Sequence, residues 1–274
     1  EQKIAEAVKI AEEADVVVLV LGGNEQTSRE AWNIYHLGDR SSLQLVGKQD
    51  ELINALHKTG KPIVAFVING RPLAFRNLIE KSSAVFECWY LGQESGEAVA
   101  DILFGKYNPG AKLPISFPRS AGHIPAYYNH KPSARRGYFN EDVSPLYPFG
   151  YGLSYTTFEM KNLRLGKETI SSDEPVKVFI DVTNTGTRRG DEVVQLYIRD
   201  ELSTVTRPVK ELKDFARITL EAGETTTVEL EITPEKLKFY DIHMDYIVEP
   251  GEFTVMVGNS SADQDLQEVK LLVQ

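Results

Sequence analysis

The spacing of apolar residues changes once along this chain, and the change demands two differently built parts. Up to about residue 104 continuous apolar runs alternate with segments of helical period, whereas beyond Phe158 only short runs of strict alternation occur. Ile4, Ala7, Val8 and Ala11 recur at helical spacing and lead into the apolar run 16–21, closed by Gly22 and Gly23, so a helix feeds a buried strand. Leu52, Ile53 and Leu56 mark one face of a second helix over 46–58, with Gly60 after its end. The segment 62–68 suits a strand buried on both faces of a parallel sheet, and Asn69-Gly70 stops it. A short helix over 73–79, a strand over 84–90 and a helix over 96–104 continue the series. The alternation predicts an α/β fold over 1–118, a mostly parallel sheet flanked by helices.

Further on, alternating runs at 176–182, 193–198, 226–232 and 253–257 are separated by turn residues at Asn184-Thr185-Gly186, Ala222-Gly223 and Pro250-Gly251. That pattern predicts an all-β antiparallel sandwich over 158–274. Between the two parts, 119–157 is rich in Pro, Gly, Tyr and Asn. It is too long for an ordinary connection and too aromatic for a disordered one, so it reads as an ordered linker belt. At 274 residues the chain has length enough for two cores.

Charge and motif content exclude several functions. With 30 basic and 40 acidic residues the net charge is −10, and the only basic clusters are the pairs Arg135-Arg136 and Arg188-Arg189, so neither nucleic acid nor an anionic membrane is an expected partner. No apolar run exceeds six residues, far short of the roughly 20 that cross a bilayer. The lone Cys88 rules out an internal disulfide and stands in an apolar run that suits packing. The five histidines are scattered, so no metal is expected. Gly22-Gly23-Asn24 is not a dinucleotide turn, no phosphate loop occurs, and Gly150-Tyr-Gly-Leu-Ser154 is not a serine-hydrolase elbow. No cofactor is implied.

Carboxylate chemistry remains. Ligands of open parallel sheets bind beyond the strand carboxyl ends, and the loop after Leu21 carries Glu25, Arg29, Glu30, Trp32, Asp39 and Arg40. Glycoside hydrolysis uses one carboxylic acid to protonate the leaving oxygen and a second carboxylate as nucleophile or base, with guanidinium and aromatic groups holding the sugar. By composition alone such a loop also suits a solvated salt-bridge cluster.

Three long motifs narrow the choice. WYLGQESGEAVADILFGKYNPGAKLPISFP at 89–118, PLYPFGYGLSYTTF at 145–158, and VTNTG at 182–186 with GDEVVQLYI at 190–198 and RPVKEL at 207–212 resemble, in order, segments of glycoside hydrolase family 3. The resemblance spans essentially the whole chain. It implies the α/β sandwich domain of that family followed by a fibronectin type III-like (immunoglobulin-like) domain, without the N-terminal (β/α)-barrel that carries the aspartate nucleophile. The family's acid/base glutamate precedes an Asp-Arg pair, and Ser28-Arg29-Glu30-Ala31 with Asp39-Arg40 carries that role over to Glu30. Residues 32–38 set the Asp-Arg pair farther off than usual, and Glu25 stands close enough to compete. Arg29, Trp32 and Glu25 are the expected substrate-binding residues, Trp32 as a stacking platform. Arg29 beside a proton donor would work against it, so its guanidinium is expected to turn elsewhere, to a sugar hydroxyl or to Asp39.

The resulting expectation is the C-terminal portion of a retaining β-glycosidase acting on terminal β-linked xylose or glucose in an oligosaccharide or glycoside. The barrel of the same enzyme is its partner, and the chain alone is inactive. A start at Glu1 without Met reads as a processed or excised piece, and any export signal would lie upstream, in keeping with a periplasmic or secreted location. A non-catalytic carbohydrate-binding or scaffold protein is the rival reading, and a nucleotide-binding α/β module a third.

Overall fold

Helix α1 (Gln2–Glu12) delivers the chain into β1 (Val17–Gly22), and the alternation then runs α2 (Glu25–Ser28), α3 (Gln49–His57), β2 (Ile63–Ile68), α4 (Arg76–Lys81), β3 (Ala84–Glu87) and α5 (Ser95–Leu103). This is a computed structural model describing residues 1–29, 34–35, 39–133 and 137–274. The chain divides into two units, residues 1–100 with 117–125, and residues 101–116 with 126–274.

In the first unit the three strands are parallel in the order β1-β2-β3, with Val18 opposite Val64 and Val64 opposite Ala84. The central strand β2 is buried on both faces, as its unbroken apolar sequence predicts; Ile63, Ala65, Phe66 and Val67 are sealed, and Phe66 stacks on Phe86 at 4.9 Å. Ile63, Phe66 and Val67 each contribute roughly 1.5–3 kcal/mol relative to exposure. Strand β1 departs from expectation. Leu19 and Leu21 are buried, but Val18 and Val20 are 48% and 59% exposed, because β1 is a sheet edge and only one of its faces is covered.

Helix α3 begins at Gln49, later than the sequence period predicts, because Gly47 takes φ +65°, which a right-handed helix cannot include; the Gln49 side chain itself reaches back to β1. Its Oε1 accepts from Gly22 N at 2.8 Å and its Nε2 donates to Gly22 O at 2.7 Å, completing the end of β1. Helix α4 likewise begins at Arg76, leaving Leu73, Ala74 and Phe75 buried in the approach to it, where Ala74 N donates to Leu43 O.

The second unit contains β4 (Phe158–Leu165), β5 (Thr169–Ile170), β6 (Val176–Asn184), β7 (Gly190–Asp200), β8 (Glu211–Leu220), β9 (Thr225–Ile232), the short α6 (Pro234–Leu237), β10 (Phe239–Tyr240), β11 (Tyr246–Ile247), β12 (Gly251–Gly258) and β13 (Leu266–Val273). A five-stranded sheet, β5-β13-β12-β7-β8, and a three-stranded sheet, β4-β6-β9, enclose one core. Every second residue of β6, Val176, Val178, Ile180 and Val182, points into that core, and Leu196, Val228, Leu230, Val255 and Leu271 meet them there. β4, β8 and β13 are not visible in the apolar pattern. β4 is interrupted by a bulge where Asn162 takes φ +58°, and β8 is an edge strand whose Lys213, Asp214 and Arg217 are charged.

Much of the aromatic belt is built into this second unit. Leu113 N donates to Tyr151 O and Gly150 N to Leu113 O, both at 2.8 Å. Tyr128 stacks on Phe149 at 4.3 Å, and its hydroxyl accepts from Leu212 N. Gly150 is the only residue type suited to its place: its φ is +79°, and a Cβ there would lie 2.0 Å from Gln195 Oε1. Lys112 and Glu192 form an ion pair at 2.7 Å with side chains 11% and 6% exposed.

Candidate active site at the strand ends

The carboxyl ends of β1, β2 and β3 stand side by side, and each delivers polar groups to the same crest. After β1 the chain turns at Gly22 and enters α2, a single turn capped by Asn24. Asn24 Oδ1 accepts from Thr27 N while Thr27 Oγ1 accepts from Asn24 N, a reciprocal cap. That turn presents Glu25 at its start and Ser28 at its end, four residues apart from Arg29 and one apart from it, respectively. The i,i+4 spacing brings Arg29 Nη2 to Glu25 Oε1 at 2.7 Å, with Glu25 81% exposed and Arg29 29% exposed.

From β2 come Asn69, Gly70 and Arg71. Gly70 N donates to Ser28 Oγ at 3.3 Å, Arg71 Nη2 donates to Arg29 O at 2.6 Å, and Arg71 N donates to Asn69 Oδ1 at 2.9 Å. From β3 comes Glu87, which accepts from Asn69 Nδ2 at 3.2 and 3.3 Å and from Trp89 N at 3.1 Å. Tyr90 OH donates to Ser28 Oγ at 2.9 Å. Trp89 adopts φ +53°, which turns the chain sharply after β3, and its ring packs at 5.9 Å from buried Phe117.

Burial is the main influence on Glu87: it pushes the carboxyl up to about 7, against the hydrogen bonds from Trp89 N and Asn69 that pull it down. Burial and the neighbouring Glu87 carboxylate push the Cys88 thiol up to about 11, which favours its protonated form at neutral pH. Among the described residues no three of His, Cys, Asp and Glu converge as a metal site would require.

Of the residues singled out in the sequence, Glu25 and Arg29 are brought together. Arg29 turns neither to Asp39 nor into open space but to Glu25. Asp39 takes φ +48°, and Arg40 Nη2 donates to Gln44 O at 2.5 Å. Glu30 and Trp32 lie outside the described residues, as do Arg135 and Arg136. Glu94 directly precedes α5, where a negative charge suits the helix start. The sequence reading passed over Asn69, Arg71, Glu87 and Tyr90. Asn69-Gly70 registered only as a strand stop, yet it closes a parallel strand at the end where ligands bind. Glu87 is a lone carboxylate in the apolar run 84–91, which was the available signal.

An α/β layer with polar groups at its strand ends is followed along the chain by a two-sheet β-sandwich. Residues 1–155 match the glycosyl hydrolase family 3 C-terminal domain, and residues 192–261 the fibronectin type III-like domain. The chain belongs to glycoside hydrolase family 3. It is 46% identical over 270 residues to the periplasmic β-glucosidase of Salmonella typhimurium, covering 94% of this chain and 34% of that protein. To a β-xylosidase of Formosa agariphila it is 44% identical, covering 98% of this chain and 37% of the other. Among solved structures, a β-glucosidase of Erythrobacter marinus superposes with a TM-score of 0.95 at 43% identity over 100% of this chain and 36% of that one. A β-glucosidase of Listeria innocua in complex with glucose gives 0.91 at 35% identity, over 100% and 38%. The chain thus spans about a third of the length of these relatives. No helix among the described residues is long and apolar enough to cross a membrane.

Proposed function

We propose that this chain supplies the acid/base half of a retaining β-glycosidase that removes terminal, non-reducing β-linked glucose or xylose, and that the nucleophilic aspartate belongs to a (β/α)-barrel of the same enzyme. Glu30 protonates the departing glycosidic oxygen, the barrel aspartate takes the sugar as a glycosyl-enzyme, and Glu30 then removes a proton from the attacking water. Arg29, Glu25 and Trp32 line the leaving-group side, and no cofactor takes part. A periplasmic or secreted location fits the name of the Salmonella relative.

The observation that carries this reading is the Arg29–Glu25 pair at 2.7 Å. A general acid has to keep its proton until the transition state, and a guanidinium drawn against it works the other way. Here the guanidinium of the preceding residue is engaged by Glu25, and the same contact occupies the carboxylate that competes for the role.

The test uses the enzyme in which this chain is joined to its barrel. Glu30→Ala is expected to lower turnover of disaccharides by about 10²–10⁴-fold, the usual worth of general acid–base catalysis, and turnover of aryl glycosides with an activated phenol far less. Azide is expected to restore part of the loss as a β-glycosyl azide. Glu25→Ala is expected to weaken binding or stability only. If Glu25→Ala shows the leaving-group dependence and azide rescue while Glu30→Ala does not, the assignment is reversed. Sugar affinity that survives Glu30→Gln with no turnover in the parent would point to the carbohydrate-binding reading.

A further inference from the structure

Three groups from two neighbouring strand ends close on one short stretch of the loop after β1. Ser28 Oγ receives Gly70 N and Tyr90 OH, at 3.3 and 2.9 Å. Arg29 O receives Arg71 Nη2 at 2.6 Å. The fit is tight: a Cβ on Gly70 would come within 2.7 Å of Tyr90 Cε2 and 3.1 Å of Ser28 Cβ, so only glycine lets the three segments meet. The anchors are themselves held. Arg71 is 7% exposed and Asn69 1% exposed; Asn69 Oδ1 takes the Arg71 backbone N–H, and Asn69 Nδ2 is taken by Glu87, which also receives Trp89 N. A part-buried relay therefore runs from Glu87 on β3 through Asn69 and Arg71 to the carbonyl of Arg29.

That carbonyl has a particular place in the chain. It belongs to the planar peptide unit whose nitrogen is that of residue 30, so a donor that fixes the oxygen fixes the plane from which the next residue departs. A bond from a charged guanidinium to a carbonyl in a part-buried setting is among the stronger hydrogen bonds available. We propose that Arg71 is a positioning residue for the acid/base, assisted by Tyr90, and that the Glu87–Asn69 pair holds Arg71 in place. The inference rests on the reading of Glu30 given above. It assigns to Arg71 no contact with substrate; its effect is exerted through the backbone of Arg29.

A misplacement of about 1 Å in a catalytic group is worth on the order of 100-fold. In the barrel-bearing enzyme, Arg71→Met keeps the bulk of the side chain and removes its donors. It is expected to lower kcat for disaccharides about 10- to 100-fold with KM changed less than about threefold, and to lower kcat for activated aryl glycosides much less. Arg71→Lys, which restores one donor, is expected to recover most of the loss. Tyr90→Phe, at a half-exposed position where the fold is not at risk, is expected to give the same leaving-group pattern at smaller size. A purely structural role would depress every substrate alike, so equal loss on both substrate types, or no loss, overturns the proposal.

The failure of the acid/base reading is separable from the failure of this one. In the 274-residue chain, Arg71→Met and Tyr90→Phe are expected to speed amide hydrogen exchange in the peptide containing residues 28–30 with exchange in β2 unchanged. Faster local exchange combined with a Glu30→Ala enzyme that lacks leaving-group dependence would keep the anchor and discard the catalytic assignment. Unchanged exchange at 28–30 in both variants would discard the anchor.

Discussion

A single carboxylate on β3 illustrates how burial and hydrogen bonding compete at one atom pair. Glu87 accepts two donors that favour its charged form, yet burial outweighs them and raises it from the ordinary 4.5 to about 7. The folded chain therefore holds a proton between about pH 4.5 and 7 that the unfolded chain has released. The contribution of this group to stability is greatest below that window, falls as pH rises through it, and is level above about 7. Glu87→Gln has no ionisation to suppress and keeps an oxygen for Trp89 N. Its urea midpoint is expected to match that of the unaltered chain near pH 5 and to exceed it at pH 8; parallel curves at both pH values would contradict the assignment. The sequence shows Glu87 only as one carboxylate among apolar neighbours, and the competition between its burial and its two donors appears only in the fold. The role proposed for Glu30 rests on motif resemblance, because the chemistry of a carboxylate depends on what stands around it. The groups that hold Ser28 and Arg29 lie 42 to 62 residues away from them, at spacings that have no periodic signature.

At the scale of elements, the strands whose sequence announced them are those buried on a face with regular alternation. β6 was legible for that reason and β12 for its unbroken buried stretch, whereas β8 has only one partner strand in its sheet and carries Lys213, Asp214 and Arg217. The parallel sheet was likewise legible in β2, because a strand covered on both faces has to be apolar throughout. The end of β6 shows what the pattern leaves out. Asn184 is fully buried; its Nδ2 donates to Arg188 O and Leu220 O at 2.7 and 3.1 Å, and its Oδ1 accepts from Thr156 Oγ1 and Gly186 N at 2.6 and 3.1 Å. In the sequence this residue reads only as the opening of a turn. In the fold it ties β6, the end of β8 and the belt segment at Thr156 together. Asn184→Ala strands several buried polar groups at once, and a loss on the order of 3 kcal/mol is expected in chemical denaturation. A loss below about 1 kcal/mol would mean that water takes over those bonds.

For the whole molecule, the division of the chain into parts follows hydrogen bonding and charge pairing more closely than composition. A cut before residue 119, where the helix-and-strand alternation gives way, would leave Glu192 buried without Lys112 and would strip Tyr151 and Gly150 of their pairing with Leu113. Removing one member of a buried ion pair costs about 3–5 kcal/mol. A fragment of residues 101–274 is therefore expected to resist urea markedly better than one of residues 119–274, and equal midpoints would show that the belt's earlier half adds nothing. The open side of β1 bears on handling rather than on architecture. Val18 and Val20 present β-branched side chains to solvent along β1, whose outer edge has no strand partner among the described residues. Such an edge is a template on which another extended chain can add, and the six-residue run it belongs to has neither charge nor proline to interrupt growth. The net charge of −10 holds copies apart at low salt, and that protection weakens as ionic strength screens it. Turbidity of the isolated chain is therefore expected to rise with concentration and salt together, and Val18→Lys, on the outward face of β1, to reduce it.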